Sequence, residues 1–138
     1  MACVFCEIVA GRAPASVVRE WDDAVAFVPL NPVTEGHLLV VPKVHVADVG
    51  ANPAVASLVE ARVSELVAEL PAANAVTSKG RPATQTVFHY HAHVLPRRPG
   101  DGLALPWDVP ASLPSTAVFA PQGLHTGRGR QTVIRSSN

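Results

Sequence analysis

The sequence predicts an α+β fold, with an antiparallel meander sheet, a short N-terminal helix and one long helix, and with the helices on one face of the sheet. Short runs rich in valine, bounded by Pro, Asn, Asp or Gly, are typical of strands. Residues 53–70 carry apolar side chains at helical spacing. Residues 85–96 alternate histidines with other side chains, which is typical of a strand that has one imidazole face.

The first elements follow from local signals. Residues 3–10 predict a short helix that Gly11 ends. Residues 16–21 and 24–28 predict a hairpin that turns at two aspartates. Residues 37–41 are apolar enough to form a buried strand.

The long helix has a defined start and end. Asn52 is a favourable cap, Pro53 suits the first helical position, and Pro71 ends the pattern. Residues 75–78 then predict a short strand before the histidine strand. We therefore expect one domain over residues 1–107, followed by an irregular tail over residues 108–138 that is rich in Pro, Gly and Ser.

Composition excludes several classes of function. The chain has 138 residues and 48% hydrophobic residues, which suits one soluble domain with a sizeable core. The formal net charge is zero, so no global basic field attracts nucleic acid or anionic lipid. The apolar runs are too short to span a membrane, and two cysteines are too few for a disulfide framework. These features predict a cytoplasmic enzyme or binding domain.

Three histidines stand two residues apart, at His89, His91 and His93. In a strand their rings would share one face, about 6.6 Å apart. A solvated polar stripe is the simplest interpretation. Zinc binding through His-x-His and catalysis by an imidazole nucleophile are the two others. Alternation alone does not decide between metal binding and catalysis.

The flanking residues resemble a known family. The stretch from His89 to Leu95 matches the His-apolar-His-apolar-His-apolar-apolar signature of the histidine triad (HIT) superfamily. The preceding Gln85-Thr86-Val-Phe, the segment from His37 to His45, and Cys3-Val-Phe-Cys6 resemble other motifs of that family in the right order. This resemblance covers about residues 3–107 and implies a HIT-like domain.

The resemblance also implies roles for site residues. His91 corresponds to the nucleophile, which would attack an α-phosphorus and form a phosphoramidate. An imidazole with a pKa near 6.5 is largely neutral at pH 7 and needs little activation for this attack. His93 would lie near the leaving group and His37 would orient the row, while His89 completes the triad. Expected substrate contacts include Gln85, Thr86 and Ser78 for the phosphate side, and Phe5, Ile8, Phe27 and Leu30 for the base; core packing is the alternative for the apolar four.

A zinc site follows from the same comparison. Zinc-containing relatives pair two such cysteines with the histidine after Pro-x-x and with the first histidine of the triad. Carried over, the ligands are Cys3, Cys6, His45 and His89, and four protein ligands would make the zinc structural. An accidental or redox-active Cys-x-x-Cys remains the alternative.

Three positions depart from the family pattern. Relatives commonly have an aspartate for the ribose hydroxyls where this chain has Pro29, and an asparagine at the position of Ser78. Thr84 stands where glycine is usual. The catalytic residues are present, but these departures predict weak nucleotide binding with poor discrimination between ribose and 2′-deoxyribose.

The function predicted by the resemblance is a HIT-type hydrolase or transferase of nucleoside 5′-phosphoryl substrates. Phosphoramidates, acyl-nucleotides and dinucleoside polyphosphates all fit that class. The alternatives are a catalytically weak nucleotide-binding or scaffold module, and a metallohydrolase with an open zinc centre. Relatives commonly pair through the long helix and an edge strand, so the resemblance also implies a homodimer.

Overall fold

The computed structural model of the chain describes residues 2–108. Within that range it has two α-helices and five β-strands. In chain order these are α1 (Val4–Val9), β1 (Ser16–Glu20), β2 (Ala24–Val28), β3 (Leu38–Pro42), α2 (Pro53–Val67), β4 (Ala73–Thr77) and β5 (Ala92–Pro96). Single 3₁₀ turns lie at Arg81–Ala83 and Pro106–Asp108. The elements predicted for residues 3–78 are therefore present, with ends that differ by at most three residues, the largest difference being the end of α2 at Val67.

The five strands form one antiparallel sheet in the order β1-β2-β3-β5-β4. The first three strands are a meander. The chain then leaves the sheet through α2, returns at the edge as β4, and places β5 between β4 and β3. The predicted α+β class is thus confirmed, and β5 becomes a central strand next to β3.

The helices cover opposite faces of the sheet, so the prediction that both lie on one face is wrong. Helix α2 packs over Ala24, Ala26 and Val40, whereas Phe5 of α1 packs with Val25, Phe27 and Leu39. Consecutive strand residues point to opposite faces. Because β2 and β3 carry apolar residues at consecutive positions, both of their faces need a cover.

The histidine strand is shorter than predicted. Strand β5 begins only at Ala92, so His93 lies in the sheet while His89 and His91 precede it. Continuing the β3–β5 register would place Tyr90 opposite Pro42, which has no N–H to donate. The Tyr90 amide instead donates to the Val46 carbonyl at 2.8 Å, and the chain leaves the ladder.

Helix α2 begins at the predicted cap. The Asn52 side-chain oxygen accepts from the Ala54 amide at 3.0 Å and the Val55 amide at 3.3 Å. Val55, Val59, Val63 and Leu66 are buried against the sheet.

We expect Asn52→Ala to lower the free energy of unfolding by about 1 kcal/mol, because two helix amides lose their acceptor. Urea unfolding of the two proteins measures this difference. Asn52→Asp keeps an acceptor at the same place and should stay within a few tenths of a kcal/mol of the original. Equal losses in both variants would contradict the capping role.

The chain divides into two units after Leu103, and the sheet and both α-helices belong to the first. The predicted tail lies outside the described residues except for Asp108. No helix among the described residues is long and apolar enough to cross a membrane. Cytoplasmic location stays a prediction.

Candidate active site and metal centre

The three triad histidines lie on the α1 side of the sheet. The Phe5 ring meets His89 and His91 edge to face, with ring centroids 5.9 and 5.2 Å away. The rings of His91 and His93 are 5.3 Å apart. Although only His93 is in the ladder, the predicted row of neighbouring imidazoles is present.

A backbone carbonyl sets the tautomer of His91. Its Nδ1 is 2.8 Å from the carbonyl oxygen of His89. A carbonyl only accepts, so Nδ1 carries the proton and Nε2 keeps a free lone pair. The second triad histidine is therefore held in the form that can act as a nucleophile.

A second chain of hydrogen bonds sets the tautomer of His93. The Val33 amide donates to His37 Nδ1 at 3.1 Å, so the proton of His37 is on Nε2. That Nε2 donates to His93 Nδ1 at 2.9 Å, which leaves the proton of His93 on Nε2. His93 thus offers an N–H, whereas His91 offers a lone pair.

Burial keeps His37 and His93 neutral. Desolvation lowers the pKa of His93 to about 4, with further contributions from His91 and His37. Desolvation also lowers the pKa of His37. At neutral pH His93 is therefore a hydrogen-bond donor in its neutral form and not an imidazolium acid.

These shifts predict a loss of stability in acid. The unfolded chain takes up a proton on His93 below pH 6.5, but the folded chain does so only near pH 4. The free energy of unfolding should therefore fall as the pH drops from 6.5 to 4, by about 3 kcal/mol for this group. Urea unfolding at several pH values in this window measures the slope.

The matched control is His93→Gln, which keeps a polar side chain that does not titrate. Both proteins are measured in the same metal-replete state, so any effect of acid on the metal site is common to them. The free energy of unfolding of His93→Gln should fall distinctly less between pH 6.5 and pH 4 than that of the original protein. An unchanged slope would show that His93 does not carry the pH dependence.

Four potential metal ligands meet next to the triad. Cys3 Sγ and Cys6 Sγ each lie 3.5 Å from His89 Nδ1, and Cys6 Sγ lies 3.3 Å from His45 Nδ1. The two imidazole nitrogens are 3.1 Å apart, and all four ligand atoms lie within 4.8 Å of one another. Tetrahedral zinc separates sulfur from nitrogen ligands by about 3.6 Å and two nitrogens by about 3.3 Å. The four residues therefore fit a zinc ion.

The protonation of His89 also suits a metal ligand. Its Nε2 donates to the Pro42 carbonyl at 2.8 Å, so the lone pair of Nδ1 points at the cysteines. Burial lowers the pKa of His89 and keeps the ring neutral. A carbonyl on the second nitrogen is the usual way in which a zinc-bound histidine is oriented.

Comparison with known proteins agrees with this geometry. The family model described as "HIT domain" matches residues 10–100 of the chain. The chain belongs to the HIT family. An uncharacterised HIT-like protein of Mycobacterium tuberculosis strain CDC 1551 is 42% identical over 112 residues, covering 76% of this chain and 78% of that protein.

Two further comparisons bear on the metal and on activity. The crystal structure of a zinc-bound histidine triad family protein from Mycobacterium smegmatis matches with a TM-score of 0.66 and 38% identity, covering 75% of this chain and 81% of that one. The adenylylsulfatase HINT3 of Arabidopsis thaliana is 31% identical over 110 residues, covering 73% of this chain and 55% of that protein.

Gln85 of this HIT domain is buried, and its side chain is fully hydrogen-bonded to backbone atoms. The side chain is 2% exposed and accepts from the Gly80 amide at 2.8 Å. Both of its amide hydrogens are used, by the Ala47 and Val87 carbonyls at 2.8 and 3.1 Å. Its expected donation to phosphate would require one of these bonds to break, so in this structure Gln85 holds the loop together.

Of the four apolar residues expected around the base, three pack together and Leu30 lies apart from them. Phe5 and Phe27 are core residues that contact each other edge to face at 5.5 Å. Ile8 is half-buried beside them, whereas Leu30 is 98% exposed. Their role in base binding stays a prediction, as does the role of the half-buried Ser78 and the exposed Thr86.

Sequence reasoning missed the backbone groups of the HIT site. The carbonyls of Pro42 and His89 and the amide of Val33 set the tautomers, and a sequence contains no signal for them. It did single out Thr84, which has φ 74°, the left-handed conformation that favours glycine.

Proposed function

We propose that this HIT-family protein is a hydrolase or transferase that acts on nucleoside 5′-phosphoryl compounds through a nucleotidyl-His91 intermediate. The observation that carries the proposal is the tautomer of His91. Its Nδ1–H is held by the His89 carbonyl, its Nε2 has no hydrogen-bond partner among residues 2–108, and its ring centroid lies 5.3 Å from that of His93. The hydrolase names of related HIT proteins support the same reaction class.

The first step forms a bond from His91 Nε2 to the α-phosphorus. The bond from phosphorus to the leaving group breaks, and its electron pair goes to the leaving group. His93 donates a hydrogen bond from Nε2–H to an oxygen near the reacting phosphorus, as the hydroxyl of Thr86 is proposed to do. Ser78 is proposed to contact the phosphate side as well.

The second step regenerates the enzyme. The oxygen of water, or of another acceptor, bonds to phosphorus and loses its proton to solvent. The nitrogen–phosphorus bond breaks, and its electron pair returns to His91 Nε2. Two displacements retain the configuration at phosphorus.

We propose a structural role for zinc at Cys3, Cys6, His45 and His89. Bound there, the ion would supply a crosslink and no open coordination position. Three separate parts of the chain contribute to the site: the start of α1, the loop after β3 and the segment before β5. The site borders the reaction centre because His89 also contributes the carbonyl that orients His91.

The covalent intermediate is the direct test. The protein is mixed with an adenosine 5′-phosphoryl substrate, quenched within one turnover and analysed by peptide mass spectrometry. We expect one nucleotidyl group on the peptide that contains His91, and none in His91→Ala. Tight nucleotide binding without adduct or turnover would overturn the proposal and identify a binding module.

We also propose that the protein forms a homodimer through α2 and the edge strand β4. An open groove of about 570 Å³ runs beside α2, lined by Val49, Ala56, Ser57, Glu60, Ala61, Ser64 and Tyr90. The edge strand leaves Ala75, Val76 and Thr77 exposed. Light scattering should give the mass of a dimer, and Ala61→Arg should give that of a monomer. A monomer before substitution would refute this proposal.

A further inference from the structure

An open cleft of about 300 Å³ lies on the loop before the triad. Its lining, here called the Arg81 cleft, consists of Arg81, Thr84, Gln85, Thr86 and Phe88. Of these residues, neither Arg81 nor Phe88 belongs to the predicted site. The cleft has three properties of a binding site.

The first property is an unneutralised charge. Of the arginines in residues 2–108, four pair with a carboxylate, and Arg98 donates to the Glu35 carbonyl. Arg81 has no acceptor in this part of the chain. Its guanidinium instead lies 5.6 Å from the centre of the Phe88 ring, and Phe88 is 42% exposed. The ring holds the cation at the cleft and leaves its N–H groups available.

The second property is a backbone held in a strained conformation. Thr84 is β-branched and adopts φ 74°, which costs free energy that a glycine would avoid. Such outliers persist where the surrounding structure holds them, and they cluster at functional sites. Here the conformation places a threonine side chain at the cleft.

The third property is rigidity, which Gln85 supplies. Its backbone amide donates to the Gly80 carbonyl and its side-chain oxygen accepts from the Gly80 amide, so the turn is closed twice. Its side-chain amide ties the same turn to the carbonyls of Ala47 and Val87. Arg81 therefore projects from an anchored turn and not from a free loop.

The cleft is connected to the reaction centre along the chain. Phe88 directly precedes His89, whose carbonyl orients His91. Thr86 and His91 are five residues apart, so their Cα atoms are separated by at most about 17 Å. The phosphorus of the substrate is proposed to lie at His91, with its leaving group along this segment.

We propose that the Arg81 cleft binds an oxyanion on the leaving group of the substrate. A guanidinium fork and two threonine hydroxyls match the oxygens of a phosphate, sulfate or carboxylate. The proposal deepens the proposed function and rests on it. As His91 Nε2 bonds to phosphorus, the phosphorus–oxygen bond breaks and its electron pair stays on the departing oxygen, so Arg81 faces the charge that develops.

Leaving groups that depart as stable anions also suit the neutral state of His93. Sulfate and phosphate need no proton when the bond breaks, whereas an amine does. The enzyme should therefore prefer nucleotides with an oxyanion leaving group over nucleotides that release ammonia. Arg81 is then a specificity-determining residue.

The test compares kcat/KM for adenosine 5′-phosphosulfate and adenosine 5′-phosphoramidate. Arg81→Ala should lower the value for the phosphosulfate by about tenfold to a hundredfold, which corresponds to one charge-assisted hydrogen bond. The phosphoramidate value should change by less than about threefold, because its leaving group carries no such charge. Arg81→Lys should recover part of the loss. Adenosine 5′-diphosphate in the same series separates a preference for phosphate from one for sulfate.

The matched control is Arg19→Ala, which removes an equal charge from β1, where Arg19 forms an exposed ion pair with Glu69. It should leave both substrates unchanged. Equal loss on both substrates, or no loss on either, would overturn the proposal while leaving the role of His91 intact.

A binding measurement keeps the cleft testable whatever the turnover. Titration of inorganic sulfate and phosphate into His91→Ala, followed by calorimetry, reports binding without catalysis. Adding Arg81→Ala to that background should weaken binding at least about tenfold, for the loss of one charged contact. Unchanged binding would overturn the proposal, and turnover by His91→Ala would overturn the proposed function separately.

Discussion

Replacing His91 by alanine should lower kcat/KM for nucleoside 5′-phosphoryl substrates by at least about a thousandfold, because the attacking lone pair is lost. Steady-state rates on metal-replete protein measure the effect. His91 packs against Phe5, so the substitution also leaves a small cavity. Thermal unfolding should nevertheless show a cooperative transition, and the variant should still bind nucleotide.

Chemical rescue distinguishes a nucleophile from a positioning residue. In His91→Gly, added imidazole can occupy the vacated place and supply the missing nitrogen. We expect turnover that rises with the imidazole concentration. The control is His37→Gly, where a free imidazole would have to rebuild two hydrogen bonds without performing the attack. Activity above a few per cent in purified His91→Ala would remove His91 from the role of nucleophile.

Removing zinc should lower the melting temperature by about 10 °C or more. When the free zinc concentration is about a thousand times the Kd of the folded protein, binding raises the free energy of unfolding by about 4 kcal/mol. For a domain of this size each kcal/mol shifts the transition by about 4–8 °C. Metal analysis should find about one zinc per chain, and a chelator or Cys6→Ser should abolish both the metal and the shift.

The rate separates a structural ion from a catalytic one. Chelated protein assayed well below its melting temperature should keep kcat within about threefold, because a zinc with four protein ligands has no open position for substrate. Loss of all turnover by protein that remains folded would instead support a metallohydrolase. Protein purified in the presence of zinc that contains none would refute the site altogether.

Local signals in the sequence predicted the elements of the fold. Asn52 before Pro53 marked the start of α2, and the run of valines in β2 and β3 marked buried strands, because capping and periodicity depend on neighbouring residues alone. The chemistry of the site was also visible in the pattern of histidines and cysteines. Four ligands at separate positions along the chain are predicted to converge only because a known family combines them.

The sequence did not determine which faces the elements use. Apolar residues on both faces of β2 and β3 are compatible with helices on either side, and only packing decided that α1 and α2 lie opposite each other. The sequence also did not determine where β5 begins. Its hydrogen-bond ladder with β3 ends at Pro42, which has no N–H to donate. Strand alternation predicted the row of rings but not the point where the strand stops.

Only the tertiary structure decided the state of each site residue. The tautomers of His91 and His93 depend on the His89 carbonyl and the Val33 amide. Every residue has a backbone carbonyl and every residue except proline has an amide N–H, so no residue type signals them. Gln85 was expected to face a phosphate, yet its side chain is hydrogen-bonded to the backbone of Gly80, Val87 and the distant Ala47. Arg81 belongs to none of the motifs found in the sequence. Its significance arises because the other described arginines found acceptors in the fold and this one did not.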